Sequence, residues 1–492
     1  MSPQSVVHPE RSRGVCVLLL AAVLCSPALA SEPALSDALK APRPEGGEYF
    51  GVYLMSKKVG YLFTDLAPVP GAKGKARSVS ELYFKANVGS GVSERQHKEV
   101  RTYESKPGGR LLSFTVEQKG DGGDQMLEGT ATPAGVQVRI TRPGQAPRSM
   151  TLPPVRETIE DADAPRVALL RKQSMEGSVL DAQDLGTYAV KTTVGAIETR
   201  TLGGVPVELR SATTVSSKEK VPVQAFLTEA GKMVEIAFGQ TMRAVAEAPS
   251  VAKRLDKVEV FGLTRVVLPR ALPDSVHSIP GKVTWVVSGL PDTFWKETSR
   301  QRYRALPDGR VEVTLSAAPP ALTQKLPQPL AASDRAEYLK SSIVVEADHP
   351  DVRAAARKVA GGEKDPYRLA KKVSAWVSAN LKKGYGASAD RASDVLRQMK
   401  GDCTEHSLLT VALLRALGVP ARRIDGLVYL VNEDKIPALY WHEWVEAYVG
   451  EWTQLDPTFG QPVADATHFA LGEEGNAEIT SLIGQLKVLE VR

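Results

Sequence analysis

Apolar positions recur along this chain with two different periods. From Glu48 to Ala246 they alternate with polar ones between Gly- and Pro-bearing turns, a pattern that predicts short strands. Glu48 to Leu54 and Val59 to Leu66 read as a hairpin about Ser56-Lys57-Lys58, continued by Glu81 to Val88, Val100 to Ser105, Leu111 to Gln118 and Val136 to Thr141. After a short helix expected at Ala164 to Ser174 come Ala189 to Val194, Val205 to Val215, Val221 to Glu229 and Met233 to Phe238. Such spacing of strands and turns suggests a large antiparallel sheet, a sandwich or an open barrel. A further run, Leu263 and then Lys282 to Leu290 and Gly309 to Ala317, predicts a small β unit before Pro319, Pro320, Pro327 and Pro329 mark a linker.

Beyond Ser333 the period becomes that of a helix. Helices are expected at Asp351 to Ala360, at Pro366 to Leu381 with Leu369, Val373, Trp376 and Val377 on one face, at Ser393 to Met399, and from Cys403 to about Leu417. Strands follow at Arg423 to Leu430, Tyr440 to Val449 and Glu451 to Asp456. Helices packed on an antiparallel sheet make an α+β domain. The expected fold class is therefore multidomain, an N-terminal all-β region followed by an α+β domain.

Composition alters this picture mainly at the N-terminus. The chain has 492 residues, 42% hydrophobic and 24% charged, which is ordinary globular material and enough for several domains. Arg11 and Arg13, an apolar run from Val15 to Leu24, and Ala28-Leu29-Ala30 have the layout of a secretory signal. The run is too short to span a bilayer. A soluble, exported, periplasmic or extracellular protein that is not transmembrane is expected; a lipid anchor at Cys25 is the alternative, disfavoured by Ala22-Val23-Leu24 before it. The expected segments are a signal peptide at 1–30, a linker at 31–47, a β-rich domain at 48–250, a small β unit at 258–318, a Pro-rich linker at 319–333, a catalytic domain at 334–470 and a C-terminal extension at 471–492. The formal charge of +5 becomes +4 when Glu10, Arg11 and Arg13 leave, and no basic stripe is visible, so no nucleic-acid partner is expected.

Two of the three cysteines, Cys16 and Cys25, lie in the signal, and its removal leaves Cys403 without a disulfide partner. An exported chain that keeps one unpaired thiol exposes it to oxidation, which favours a chemical use over a structural one. Asp402 is a good N-cap and Glu405 falls at the third helical position, so Cys403 sits in the first turn of its helix, where free N–H groups and the macrodipole favour a thiolate. Gly418 and Pro420 end that helix.

A thiolate nucleophile needs a base, and the base needs an orienting acceptor. Trp441 to Tyr448 alternates as a strand and Glu451 to Asp456 returns after Gly450. With the hairpin centred near Val449, His442 and Asp456 would face one another on one side of the sheet; centred half a residue later they would lie on opposite sides. His406, one helical turn after Cys403, competes as base but reads better as a residue supporting the helix start. A zinc site from Cys403, His406, His442 and His468 lacks a paired-cysteine knuckle and leaves Asp456 unused, so no metal and no cofactor are expected. His468 either seals the site from the C-terminal side or occupies a surface turn. Trp441, Trp444 and Trp452 read as sheet packing or as a wall of a substrate groove.

Four motifs carry a resemblance. AWVSANLKKGY from Ala375 to Tyr385, GDCTEHSLLTVALLRALGVPAR from Gly401, HEWVEAYV from His442, and W-x-x-x-DPT from Trp452 to Thr458 resemble, in order and spacing, the transglutaminase-like superfamily. The resemblance covers Asp334 to Ala470, about a quarter of the chain, and implies a papain-like core with Cys403 as nucleophile, His442 as base and Asp456 as its orienter. Tyr385 is the candidate second oxyanion donor beside the Cys403 N–H, with His406 and Trp444 as supporting candidates. Thr404 stands where animal cross-linking enzymes carry Trp, and no Asp- and Asn-rich calcium loop is visible. The resemblance therefore implies acyl transfer, by hydrolysis of an amide in a peptide, protein or cell-wall peptide before protein cross-linking. The rival from another class is a non-catalytic assembly protein whose β region binds a protein partner, with the α+β domain kept as a scaffold.

Overall fold

Strands from Glu48 to Ala246 pair into one continuous antiparallel sheet of fourteen members. In the computed structural model, residues 34–492 are described, apart from 90, 121–122, 183, 203, 219–220, 321–328, 385–388, 433 and 475–476. The expected signal peptide, most of the Pro-rich linker and Tyr385 lie outside the described residues.

The sheet is two meanders joined edge to edge. One runs back from Arg148–Leu152 strand by strand to Glu48–Leu54; the other starts at Met242–Ala246 and runs back to Met175–Leu180. They meet where Phe50 faces Ala246 and Leu54 faces Met242. Two apolar cores lie along the sheet, with Tyr103, Phe114, Leu127 and Ile140 in one and Phe50, Leu227 and Ala244 in the other, which spans the join of the meanders. The single sheet matches the first of the three sequence expectations.

Several strands escape the sequence pattern for a physical reason. Gly91–Glu104 carries Ser93 to Lys98 as an unbroken polar run and is half-exposed along most of its length, so it shows no alternation. It forms because it pairs with Lys75–Val88 end to end, Lys75 opposite Glu104 and Val88 opposite Gly91. Gln125–Thr132, Arg148–Leu152 and Met175–Leu180 also lack a clear alternation; each pairs through the backbone and gives one leucine, Leu127, Leu152 or Leu180, to the same core.

After the sheet, Gly281–Ser288 pairs with Val311–Ala317 on one side and with the C-terminal strand Lys487–Val491 on the other, and Gln301–Ala305 forms the edge. Val266–Val267 pairs instead with Ala438 and Leu439 of the next sheet. The run at 258–318 thus shares a sheet with the chain end, and Val283, Trp285 and Val313 pack in one core with Leu427, Leu439 and Phe469.

Among the described residues, the C-terminal region has the helices Pro350–Ala360, Pro366–Asn380, Ala392–Gln398 and Cys403–Ala416 close to where their periodicity predicts, preceded by a short one at Ala332–Glu337. Their sheet is built on Ala421–Val431 and Pro437–Tyr448, with Phe469–Glu473 and Trp452–Leu455 at the flanks. Cys403–Ala416 is buried at every position from Glu405 to Leu414, so it is the central helix. Ala392–Gln398 is tied to the large sheet: Gln145 Nε2 donates to Asp394 Oδ1 at 2.7 Å, and Arg142 lies 3.6 Å from Glu346. No helix among the described residues is long and apolar enough to cross a membrane.

Candidate active site

Cys403 opens the central helix as the sequence predicts. The capping box is complete: Thr404 N–H donates to Asp402 Oδ1 at 3.0 Å, and Asp402 N–H donates to Glu405 Oε2 at 2.8 Å. A Cβ on Gly401 would overlap the Glu405 side chain, so only glycine lets Glu405 fold back over the cap. Lys382–Lys383 pairs in parallel with Lys400–Gly401 and fixes the approach to the nucleophile.

The electrostatics around the sulfur run against the helix dipole. Cys403 keeps some solvent-accessible surface, yet burial around the thiol, then the carboxyl groups of Asp402 and Glu443, push its pKa well up. A backbone hydrogen bond from Glu443 pulls the other way without prevailing. Glu443 is itself pushed up to about 8 by burial, despite Arg423 at 3.3 Å. Burial and the nearby Asp402 raise Glu405 too. A helix start alone favours the thiolate, but desolvation of the anion is the larger effect here.

The hairpin that carries His442 toward Asp456 is centred at Gly450, with Val445 opposite Leu455 and Tyr448 opposite Trp452. That is one full residue beyond the expected centre near Val449. Parity is preserved, so His442 and Asp456 share a face, but they stand diagonally rather than directly opposite. His442 Nε2 donates to Asp456 Oδ2 at 2.8 Å, which leaves Nδ1 as the nitrogen available to a thiol. Gly426 lies across the sheet from His442, and a Cβ there would strike Trp444 and the Phe469 carbonyl. The imidazole is flanked by Phe459 at 5.0 Å and Trp444 at 6.0 Å between ring centroids.

Asp456 is fully buried and saturated with donors. Its Oδ1 accepts Thr458 N–H at 2.7 Å and Phe459 N–H at 3.0 Å, while Oδ2 accepts both His442 and, at 2.9 Å, His468 Nε2. The histidines hold its pKa far below the usual carboxylate range despite burial. His468 is buried and bonds Asp465 Oδ1 through Nδ1 at 3.1 Å. Asp465 Oδ2 in turn contacts His277 Nδ1 at 2.7 Å, on a half-exposed side chain. The surface-turn alternative for His468 does not hold.

The structure brings together His442, Asp456, Trp444 and His468. It places Cys403 against the Glu443 backbone, one residue along from His442, but among the described residues no hydrogen bond joins Cys403 to His442. His406 is fully buried and its Nδ1–H donates to the Asp402 carbonyl at 2.6 Å, so it supports the helix start; burial lowers its pKa. Trp444 packs between His442 and His468, whereas Trp441 donates to the Thr264 carbonyl and Trp452 packs edge-to-face with Tyr338 and Tyr448, so the three form no common wall. Among the described residues, His442, Asp456 and His468 are the grouping with metal-ligand spacing, all within 4.8 Å, but these atoms already bond one another. Cys403 and His406 are not in it. Sequence reasoning missed Phe459, which the D-P-T-F run could have offered, Asp465, which its place three residues before His468 could have offered, and His277, for which the sequence holds no local signal.

Residues 353–457 match the family model of the transglutaminase-like superfamily, an interval that contains Cys403, His442 and Asp456. An uncharacterised protein of Mycobacterium leprae is 24% identical over 136 residues, 27% of this chain and 48% of that protein, so the match spans about half of the relative's length. Three solved structures are similar. A candidate cysteine protease from Cytophaga hutchinsonii has 19% identity and TM-score 0.29, covering 44% of this chain and 84% of its own. A β-barrel-like protein of a domain of unknown function from Brucella abortus has 9% identity and TM-score 0.31, covering 41% and 94%. A candidate protease from Parabacteroides distasonis has 11% identity and TM-score 0.20, covering 80% and 70%.

Proposed function

On the premise that residues 353–457 are a transglutaminase-like core, we propose that this protein is an exported cysteine enzyme that hydrolyses an amide by acyl transfer, through Cys403, His442 and Asp456 on a papain-like framework. The observation that carries this reading is the buried hydrogen bond from His442 Nε2 to Asp456 Oδ2, which leaves Nδ1 for the thiol proton at the helix that Cys403 opens. In the reaction His442 takes the Cys403 proton as sulfur attacks the carbonyl carbon, the Cys403 N–H at the free end of the helix meets the developing oxyanion, and His442 returns the proton to the departing amine. Water, with its proton taken by His442, then releases the acid. Thr404 in place of Trp and the missing calcium loop favour water over an amine as acceptor, so protein cross-linking is the lesser variant. The substrate class proposed is a peptide, protein or cell-wall peptide outside the cytoplasm.

One observation favours the second reading, a non-catalytic assembly protein: the site raises rather than lowers the thiol pKa. A fluorescent thiol-reactive amide probe separates the two. Wild type should label at Cys403 and Cys403→Ala should not; a wild-type protein that never labels while folded would favour the assembly role.

A further inference from the structure

His468 is enclosed by acceptors. Its Nε2 meets Asp456 Oδ2 at 2.9 Å and its Nδ1 meets Asp465 Oδ1 at 3.1 Å, and the side chain has no exposed surface. An ionised carboxylate accepts hydrogen bonds and cannot donate them. Neither acid has cause to carry a proton, because the other partners of both are donors. Asp456 takes His442 Nε2, Thr458 N–H and Phe459 N–H; Asp465 takes the Thr467 N–H and hydroxyl, Gln461 Nε2 and His277 Nδ1. Both imidazole nitrogens of His468 must then donate, and a ring that donates twice is an imidazolium.

The other groups around it fit a fixed charge. Trp444 packs edge-on at 5.1 Å and the His442 ring lies at 5.9 Å. Arg300 donates to the carbonyls of Ala464 and Asp465, which anchors the turn that carries the second carboxylate. His277 reaches Asp465 from the short helical turn Asp274–His277, so a segment outside the family match closes the network.

We propose that His468 is a positioning residue of the site: a buried imidazolium, clamped between Asp456 and Asp465, that neutralises the carboxylate behind His442 and so keeps the resting Cys403 a thiol. This rests on the catalytic reading of Cys403 and His442. A carboxylate shared with a permanent cation has less field left to stabilise charge on His442, so proton transfer from the thiol waits for substrate. A neutral resting thiol is also slow to oxidise, because the thiolate is the form that oxidants attack.

Nitrogen-15 spectra of the histidine rings in the full chain test the charge, with the His468 signals identified by their loss in His468→Gln. Both His468 nitrogens should stay protonated at pH 7. The consequence is read from the pH dependence of Cys403 alkylation by iodoacetamide. His468→Gln should move its midpoint down by about one unit, about tenfold faster labelling below the midpoint. Asp465→Asn, which keeps the imidazole but loosens the clamp, should move it the same way by less. A bare nitrogen on His468 at pH 7, or wild-type alkylation profiles in folded forms of both variants, overturns the proposal. Loss of the catalytic reading would show separately, as amide-probe turnover indifferent to Cys403→Ala.

Discussion

Both halves of this molecule bury charge, and they neutralise it differently. In the large sheet the partners are arginine and lysine. Arg101 Nη1 meets Glu157 at 2.5 Å, Arg166 bridges Glu48 and Asp163, and Lys58 meets Glu247 at 2.6 Å. Arginine does not titrate in proteins and a paired lysine scarcely does so near neutrality, so these clusters hold strands in place without switching. In the C-terminal region Asp456 and Asp465 are bonded by three histidines, a side chain whose two ring nitrogens can donate or accept a proton. The burial is similar, but only the second arrangement can pass a proton. That difference supports the proposed site at Cys403 and His442.

The largest effect should come from the nucleophile. Cys403→Ser should lower amide turnover by about a thousandfold or more, with the circular dichroism spectrum unchanged, because serine has no comparable anion at neutral pH. Turnover near wild type would move the chemistry elsewhere. Asp456→Asn keeps an acceptor oxygen for His442, so a smaller loss is expected, about tenfold to a thousandfold in kcat, measured on the same substrate. Should Asp456→Asn match wild type while His406→Ala is dead, the base has been misassigned.

A change in the sheet should do the reverse. Glu157 accepts from Arg101, from the Tyr103 hydroxyl at 2.5 Å and from Leu180 N–H at 2.7 Å. Glu157→Gln leaves the buried Arg101 with Glu99 as its remaining counter-charge and should cost about 2 kcal/mol in denaturant unfolding. The alkylation profile of Cys403 should not move; if it does, the two regions are electrostatically coupled and the contrast between them fails.

The smallest effect is a pH dependence of stability. Asp456 and Asp465 have depressed pKa values in the folded protein, so their contribution is present above the unfolded carboxylate pKa near 4 and is lost as pH falls below it. His468 is raised by its two carboxylates, against burial, so its contribution is complete below about 6.5 and is lost as pH rises through the folded pKa. Glu443, raised to about 8, and the raised Glu405 bind protons that the unfolded chain has released, so stability falls as pH climbs from about 4.5 toward 8. The thermal midpoint should therefore peak between about pH 4 and 6 and decline by a few degrees by pH 8. A midpoint that rises steadily from pH 5 to 8 would contradict these charge assignments.

How much of this could be read in advance depended on whether the cause was local. The helix from Cys403, its Asp402–Glu405 cap and its stop at Gly418 are written in adjacent residues, because caps and periodicity act within a few positions. The alternation of the two strands is also local, but the shared face of His442 and Asp456 and their diagonal offset are not, since the turn at Gly450 sets the hairpin centre through backbone pairing. The polar strands of the large sheet were illegible because a neighbouring backbone recruits them, and the pairing of the chain end at Lys487–Val491 with Gly281–Ser288 joins segments about two hundred residues apart. The clamp on His468 is the extreme case. Asp456 and Asp465 meet one imidazole from a strand end and a turn, His277 reaches Asp465 from a separate β unit, and only the folded chain holds the imidazole and the two carboxylates within hydrogen-bonding distance and away from water, where they acquire a fixed charge state.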